Sequence, residues 1–123
     1  MVPTPTTVNI LGTDYTIVRV KWEKDERFEK DKIDGYCDNV VKKIVYCDMR
    51  TKPNFGDMSD AYYKKLEDEI VRHEIIHAYF KESGLDCSAS HIEGPWALNE
   101  EMVDWFAIQS PKILATFQKL NIV

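Results

Sequence analysis

The chain falls into a front half whose apolar positions alternate and a back half in which they recur with the period of a helix. Residues 7–11 alternate and are rich in β-branched side chains. Gly12, Thr13 and Asp14 supply a turn, and residues 15–22 carry Val, Ile and Tyr, so the pattern predicts a β-hairpin. A run of both charge signs over 23–34 predicts a solvated loop or a short helix. Residues 35–38 and 43–49 predict a second hairpin around 39–42, in which Ile44, Val45, Tyr46 and Cys47 form the strongest strand signal of the chain. Pro53, Asn54 and Gly56 mark 50–58 as a loop.

Helical periodicity begins after Ser59, a suitable N-cap for a helix from Asp60 to about Ser83, and residues 61–81 contain neither Gly nor Pro. Leu66, Ile70, His73, His77 and Phe80 share one face of that helix, predicted to turn inward, and Gly84 ends it. Residues 85–95, with Cys87 and His91, predict a loop. A last helical region is expected from Trp96 or Ala97 to about Gln109. Ser110 and Pro111 then restart a short helix to Leu120, with Ser as cap and Pro in its first turn. Strands first and helices afterwards predict an α+β fold, a small antiparallel or mixed sheet of two hairpins packed on one long helix and a C-terminal helical region.

Composition narrows what such a fold can serve. The 123 residues make one domain, 1–123. A net charge of −5 argues against a nucleic-acid groove as the main surface. No segment approaches the roughly 20 apolar residues of a membrane span, so no membrane partner is expected, and the N-terminus has neither the basic start nor the apolar run of a signal peptide. Three cysteines without a C-x-x-C spacing predict free thiols in a reducing cytoplasm, although Cys37 and Cys47 can face each other across the second hairpin.

Chemistry enters with His73-Glu74-Ile75-Ile76-His77, which reads H-E-x-x-H inside the predicted long helix. Residues four apart stack on one helix face, so both imidazoles can converge on a single metal ion. Glu74 lies one step round, where its carboxylate can reach a water at the metal without becoming a ligand. The plain alternative is a pair of helix histidines, one packed and one solvated. Ile70, Ile75, Ile76, Ala78 and Phe80 argue against it, because imidazoles buried among them without a metal would need other polar partners.

A catalytic zinc site adds a third protein ligand and leaves one position open. Downstream candidates are Cys87, His91, Glu93, Glu100, Glu101 and Asp104; the metzincin spacing fails, since Phe80 and Ser83 stand where Gly and His are required. On the last helix Met102, Val103, Phe106 and Ala107 define the apolar side. Glu100 falls at its edge, in line with Asp104 four residues on, whereas Glu101 points largely away. Glu100 is therefore expected as third ligand, and Asp104 as the carboxylate that orients a ligating imidazole, that of His73, by its other nitrogen. One Zn²⁺ per chain is expected, although two imidazoles and a carboxylate also accept Mn²⁺, Fe²⁺ or Co²⁺.

With H-E-I-I-H at 73–77 followed by N-E-E-M-V-D-W-F-A at 99–107, the chain resembles the gluzincins. The N-E-x-x-x-D part is similar to the third-ligand motif of thermolysin-type enzymes. The small size and the D-W-F-A ending resemble the ImmA/IrrE-type metallo-endopeptidases, with Val103 in place of their usual Ala. The resemblance implies a minimal zincin-like fold with ligands His73, His77 and Glu100 and general base Glu74. The G-Y-C-D hairpin at 35–38 extends the likeness to small zincin-like proteins of phages and prophages of low-GC Gram-positive bacteria. A cytoplasmic zinc-dependent endopeptidase is the function so implied, hydrolysing peptide bonds of a protein substrate such as a phage, prophage or host regulator, in the cytoplasm of a bacterial host.

Glu74 would accept a proton from water as it attacks a peptide carbonyl and pass it to the leaving amine. A second donor to the developing oxyanion is expected from His91, Tyr36 or Tyr46. In zincins an edge strand beside the metal pairs with extended substrate, and 43–48 is the candidate strand here. Trp96 and Trp105 are expected to pack. Two readings compete with the enzyme: a phage or prophage zinc-binding protein with a structural or partner-binding role and little turnover, and a metal-free interaction module. The presence of Glu74 favours the enzyme, because a structural site needs no base.

Overall fold

The computed structural model describes residues 4–85 and 99–123. Two hairpins build its sheet, as the alternation predicts. Strands β1 (Thr6–Ile10) and β2 (Thr13–Lys21) pair antiparallel through Leu11 and Gly12, whose φ angles of 50° and 94° make the two-residue turn that matches strand twist. Asn9 Oδ1 accepts the Gly12 N–H at 3.0 Å and steadies it. Strands β3 (Gly35–Asp38) and β4 (Lys43–Asp48) form the second hairpin, its turn started by Asp38, which accepts the N–H groups of Val40 and Val41.

The strand order is β1-β2-β4-β3, with β2 and β4 parallel and the other pairs antiparallel, so the sheet is mixed. β4 is therefore central, and the expectation of a free edge at 43–48 is overturned. The reason lies in its composition. Ile44 and Tyr46 point to one face and Val45 and Cys47 to the other, all four buried, and a strand apolar on both faces belongs inside a sheet. The edge nearest the helices is β3. Cys37 and Cys47 do not pair in register and both thiols are free; burial pushes each up to about 12.

Between β2 and β3 the mixed-charge run folds into a 3₁₀ turn (Trp22–Lys24) and a single-turn helix, α1 (Arg27–Lys30). Phe28 is fully buried there, its ring against Trp22 at 5.7 Å and Tyr36 at 6.4 Å, an anchor that charge patterning conceals. A 3₁₀ turn (Met49–Thr51) and loop then lead to the long helix.

Helix α2 (Asp60–Glu82) starts where expected, Ser59 accepting the Tyr62 N–H, and ends at Ser83 with Gly84 at φ 85°. Its innermost stripe is Tyr63, Glu67, Val71, Glu74 and Ala78, one step round from the predicted face, with Leu66, Ile70, His73 and His77 on its shoulder. Two carboxylates in the interior explain the offset, because apolar counting passes over them. Glu67, fully buried, accepts from Arg19 Nε at 2.7 Å, from Arg19 Nη2 at 3.0 Å and from the Met49 N–H at 3.2 Å; Arg19 also bonds Asp48. At the other end of α2, Glu82 accepts from Tyr15, Thr13 and Lys42. Ile10, Tyr15, Ile17, Ile44 and Tyr46 pack under α2 against Val71 and Ala78.

Helix α3 (Glu100–Lys119) is capped by Asn99, whose Oδ1 accepts the Met102 N–H at 2.9 Å, and packs on α2 through Val103 and Ala107. It runs unbroken through Pro111, so the predicted restart at 110–111 does not occur. Pro111 removes the N–H that would bond the Ala107 carbonyl, and Arg72 Nε of α2 donates to that carbonyl instead, at 2.5 Å. Trp105, expected to pack, is 52% exposed, touching Phe106 edge-on; Trp96 lies outside the described residues. Among the described residues no helix is long and apolar enough to cross a membrane.

Candidate metal centre

His73 and His77 occupy successive turns of α2, and their Nε2 atoms stand 3.1 Å apart. The first turn of α3 brings Glu100 over both, Oε2 at 2.9 Å from His73 Nε2 and Oε1 at 3.0 Å from His77 Nε2. One turn further along α3, Asp104 Oδ1 lies 2.6 Å from His73 Nδ1. Glu74 is buried beside them, Oε2 3.9 Å from His73 Nε2. The face counting of α3 thus brings Glu100 and Asp104 to the histidines, while Glu101 is exposed. Among the described residues, ligand atoms of His73, Glu74 and His77 lie within 4.8 Å of one another.

Hydrogen-bond bookkeeping shows why this set fits a cation. An ionised carboxylate only accepts, so the short contact to Asp104 calls for a proton on His73 Nδ1, and an otherwise unprotonated ring then presents Nε2 as a lone pair. That lone pair faces a Glu100 oxygen and the other imidazole, three acceptor-capable atoms crowded at about hydrogen-bond distance. A divalent ion between them satisfies all three. Ligands about 2.0–2.1 Å from a tetrahedral zinc stand roughly 3.3 Å apart, so spacings of 2.9–3.1 Å need only a slight opening. Two imidazoles and a carboxylate make a donor set that could hold a divalent metal ion and is not specific to zinc.

Burial pushes the Glu74 carboxyl up to about 7; His73 opposes the rise, and the charges of Glu100 and Asp104 add to it. A cation here would draw it back down. The two histidines are about four-fifths buried, whereas the Glu100 and Asp104 side chains are 65% and 60% exposed. The imidazoles are thus held by the body of the protein, and the carboxylates reach in from the rim.

β3 forms the opposite wall. A Cβ on Gly35 would lie 2.8 Å from Ile70 Cγ2, 3.0 Å from the Val45 carbonyl oxygen and 3.6 Å from Glu74 Cγ, so glycine lets this strand approach α2 beside the motif. The Cys47 N–H bonds the Asp34 carbonyl at 2.8 Å. By antiparallel alternation, Tyr36 and Asp38 turn their backbone groups to β4, and Gly35 and Cys37 turn theirs to the outer edge of the sheet, which no strand among the described residues covers. Two clefts of about 450 and 370 Å³ flank His73 and Glu74, both walled by Gly35, and Cys37 lines the larger. Gly35 and Cys37, expected only as part of a hairpin, thus line the site; a glycine opening a strand is the signal of such a close approach.

Of the expected second donors, Tyr46 is fully buried in the core. Tyr36 lines the larger cleft, but its hydroxyl donates to Asp25 at 2.5 Å and Arg27 covers its ring; burial and that bond push its pKa up to about 12. His91, Glu93 and Cys87 lie outside the described residues. No protein-family model, curated protein or solved structure matches this chain.

Proposed function

We propose that the protein is a zinc-dependent, gluzincin-like endopeptidase of the ImmA/IrrE type. The observation that carries the reading is the convergence of His73 Nε2, His77 Nε2 and Glu100 within 3.1 Å, with buried Glu74 alongside. His73, His77 and Glu100 would hold the ion, and Asp104 would keep the His73 ring in the ligating tautomer. Zinc, when bound, acidifies a water and polarises a carbonyl. Glu74 would take a proton from a water whose oxygen attacks the carbonyl carbon, and would return it to the nitrogen as the C–N bond breaks. Burial raises the Glu74 carboxyl toward the range that suits both transfers, and a bound cation would lower it again.

An extended peptide adds to the free edge of β3 by bonding the N–H and C=O groups of Gly35 and Cys37. Pairing through backbone selects for an unfolded or extended segment more than for particular side chains, which suits a regulator with an exposed loop. The free thiols of Cys37 and Cys47 suit a reducing cytoplasm, that of a bacterial host. The phage or prophage setting rests on sequence resemblance.

The test has two parts. Purified protein should carry one zinc per chain, lost on Glu100→Ala and kept on Glu101→Ala; protein without stoichiometric metal sinks the reading. The wild type should cleave members of a quenched-fluorescence peptide library, and Glu74→Gln should abolish cleavage while keeping the metal. Cleavage that survives Glu74→Gln removes Glu74 as base. Zinc without any cleavage leaves a zinc-binding protein rather than an enzyme.

A further inference from the structure

We infer that Arg72 is the positioning residue that sets the register of α3 over the metal centre, and that Pro111 is what makes its grip specific. The inference rests on the reading of His73, His77 and Glu100 as a metal site. Every carbonyl in the middle of a helix normally accepts from the N–H four residues on. Pro111 has no N–H, so the Ala107 carbonyl is the one mid-helix acceptor of α3 released by a proline. Ala107 is fully buried against α2, where an acceptor without a donor is costly. Arg72 Nε fills the place at 2.5 Å.

The location gives the bond its consequence. Arg72 precedes His73 directly, so one turn of α2 carries both a metal-site imidazole and the grip on the other helix. On α3, Glu100, Asp104 and Ala107 lie along one stripe about 10 Å long, taking 1.5 Å per residue. Its first two members meet the histidines and the third meets Arg72. A slip of one residue would move Glu100 about 1.5 Å along the axis and roughly 100° around it, away from both rings. Glu100 and Asp104 are mostly exposed and near the start of the helix, so their own packing does little to prevent such a slip. Among the described residues the Ala107 carbonyl is the mid-helix one that Pro111 frees, and Arg72 reaches it in this register.

The experiment measures zinc affinity by chelator competition alongside the melting temperature of the metal-free protein. Arg72→Ala should weaken zinc binding roughly tenfold, the lower end of what loss of an outer-shell support costs. Adding Pro111→Ala restores an N–H for the Ala107 carbonyl within the helix. Arg72→Ala/Pro111→Ala should therefore regain melting temperature but not zinc affinity. Arg72→Lys, which can still donate to the carbonyl, should regain affinity. Unchanged affinity in Arg72→Ala, or affinity that returns together with melting temperature in the double variant, overturns the positioning role. A wild type that binds no zinc sinks the metal reading itself, a result distinct from zinc binding that ignores Arg72.

Discussion

Asp104 Oδ1 stands 2.6 Å from Nδ1 of His73, so a carboxylate on one helix dictates which nitrogen of an imidazole on another keeps its proton. The Nε2 lone pair is thereby presented to His77 and Glu100. Asp104→Ala leaves the ring free to rotate and to take the other tautomer, and zinc affinity should fall about 10- to 100-fold. Glu100→Ala, which removes a ligand, should cost more. Chelator competition at neutral pH reads both, and an Asp104→Ala protein with wild-type affinity would deny Asp104 its orienting role.

Glu67 is the other carboxylate that apolar periodicity passes over, and its role is structural. It is fully buried and receives three hydrogen bonds, two of them from Arg19. Glu67→Ala leaves the guanidinium and the Met49 N–H without that partner, and breaking a buried pair from one side costs about 3–5 kcal/mol. Arg19 is 22% exposed and keeps Asp48, which places the expected loss at the lower end. Urea unfolding measures it. Replacing both Arg19 and Glu67 by Met should recover most of the loss, because no charge is then stranded.

Acid should act on the opposite end of α2. Hydrogen bonds from Lys42 and Tyr15 hold the Glu82 carboxyl down to about 2, from an ordinary value of 4.5. A depressed folded-state pKa means that the unfolded chain binds the proton more readily. The stabilisation is therefore complete above about pH 4.5 and lost as pH falls toward 2. Glu82→Gln should flatten this part of the melting-temperature profile between pH 2 and 5, and an unchanged slope would show that the Glu82 cluster does not hold the helix end. Glu74 has the opposite sign. With its folded pKa raised to about 7, the metal-free protein should lose part of its stability as pH rises from about 4.5 through 7.

The parts legible in the sequence are those whose signals are local. Ser59, Gly84 and a turn near Gly12, expected over 12–14 and found at Leu11 and Gly12, are read from neighbouring residues, and the i,i+4 spacing alone brings His73 to His77 and Glu100 to Asp104. What was misread depends on partners distant in the chain. An apolar run at 44–47 marks a strand but not its neighbours, so β4 was expected at the edge it does not occupy. Pro111 reads as a helix start until Arg72, 39 positions earlier, is seen to take over the carbonyl it frees. Glu67 carries no local signal of the Arg19 that reaches it, and Trp105, expected to pack, is more than half exposed. A long-range hydrogen bond leaves no periodicity.

Gly35 joins the sheet to the metal centre through the space it leaves empty. Alanine there would bring its Cβ to 2.8 Å from Ile70 Cγ2 and 3.0 Å from the Val45 carbonyl oxygen. The first is a branched methyl held in a helix and the second is backbone, so neither yields easily and β3 must shift away from α2. Overpacking of this kind costs about 1–3 kcal/mol. The effect on peptide cleavage should exceed the effect on folding, because the displaced strand carries the free N–H and C=O groups of Gly35 and Cys37 past Glu74. Zinc affinity should change little, since all three proposed ligands sit on α2 and α3. Gly35→Ala is therefore expected to lower melting temperature modestly, keep its metal, and lose kcat/KM on extended peptides. A variant that lost zinc but cleaved normally per bound metal would place Gly35 in the support of the ligands instead of the wall of the substrate cleft.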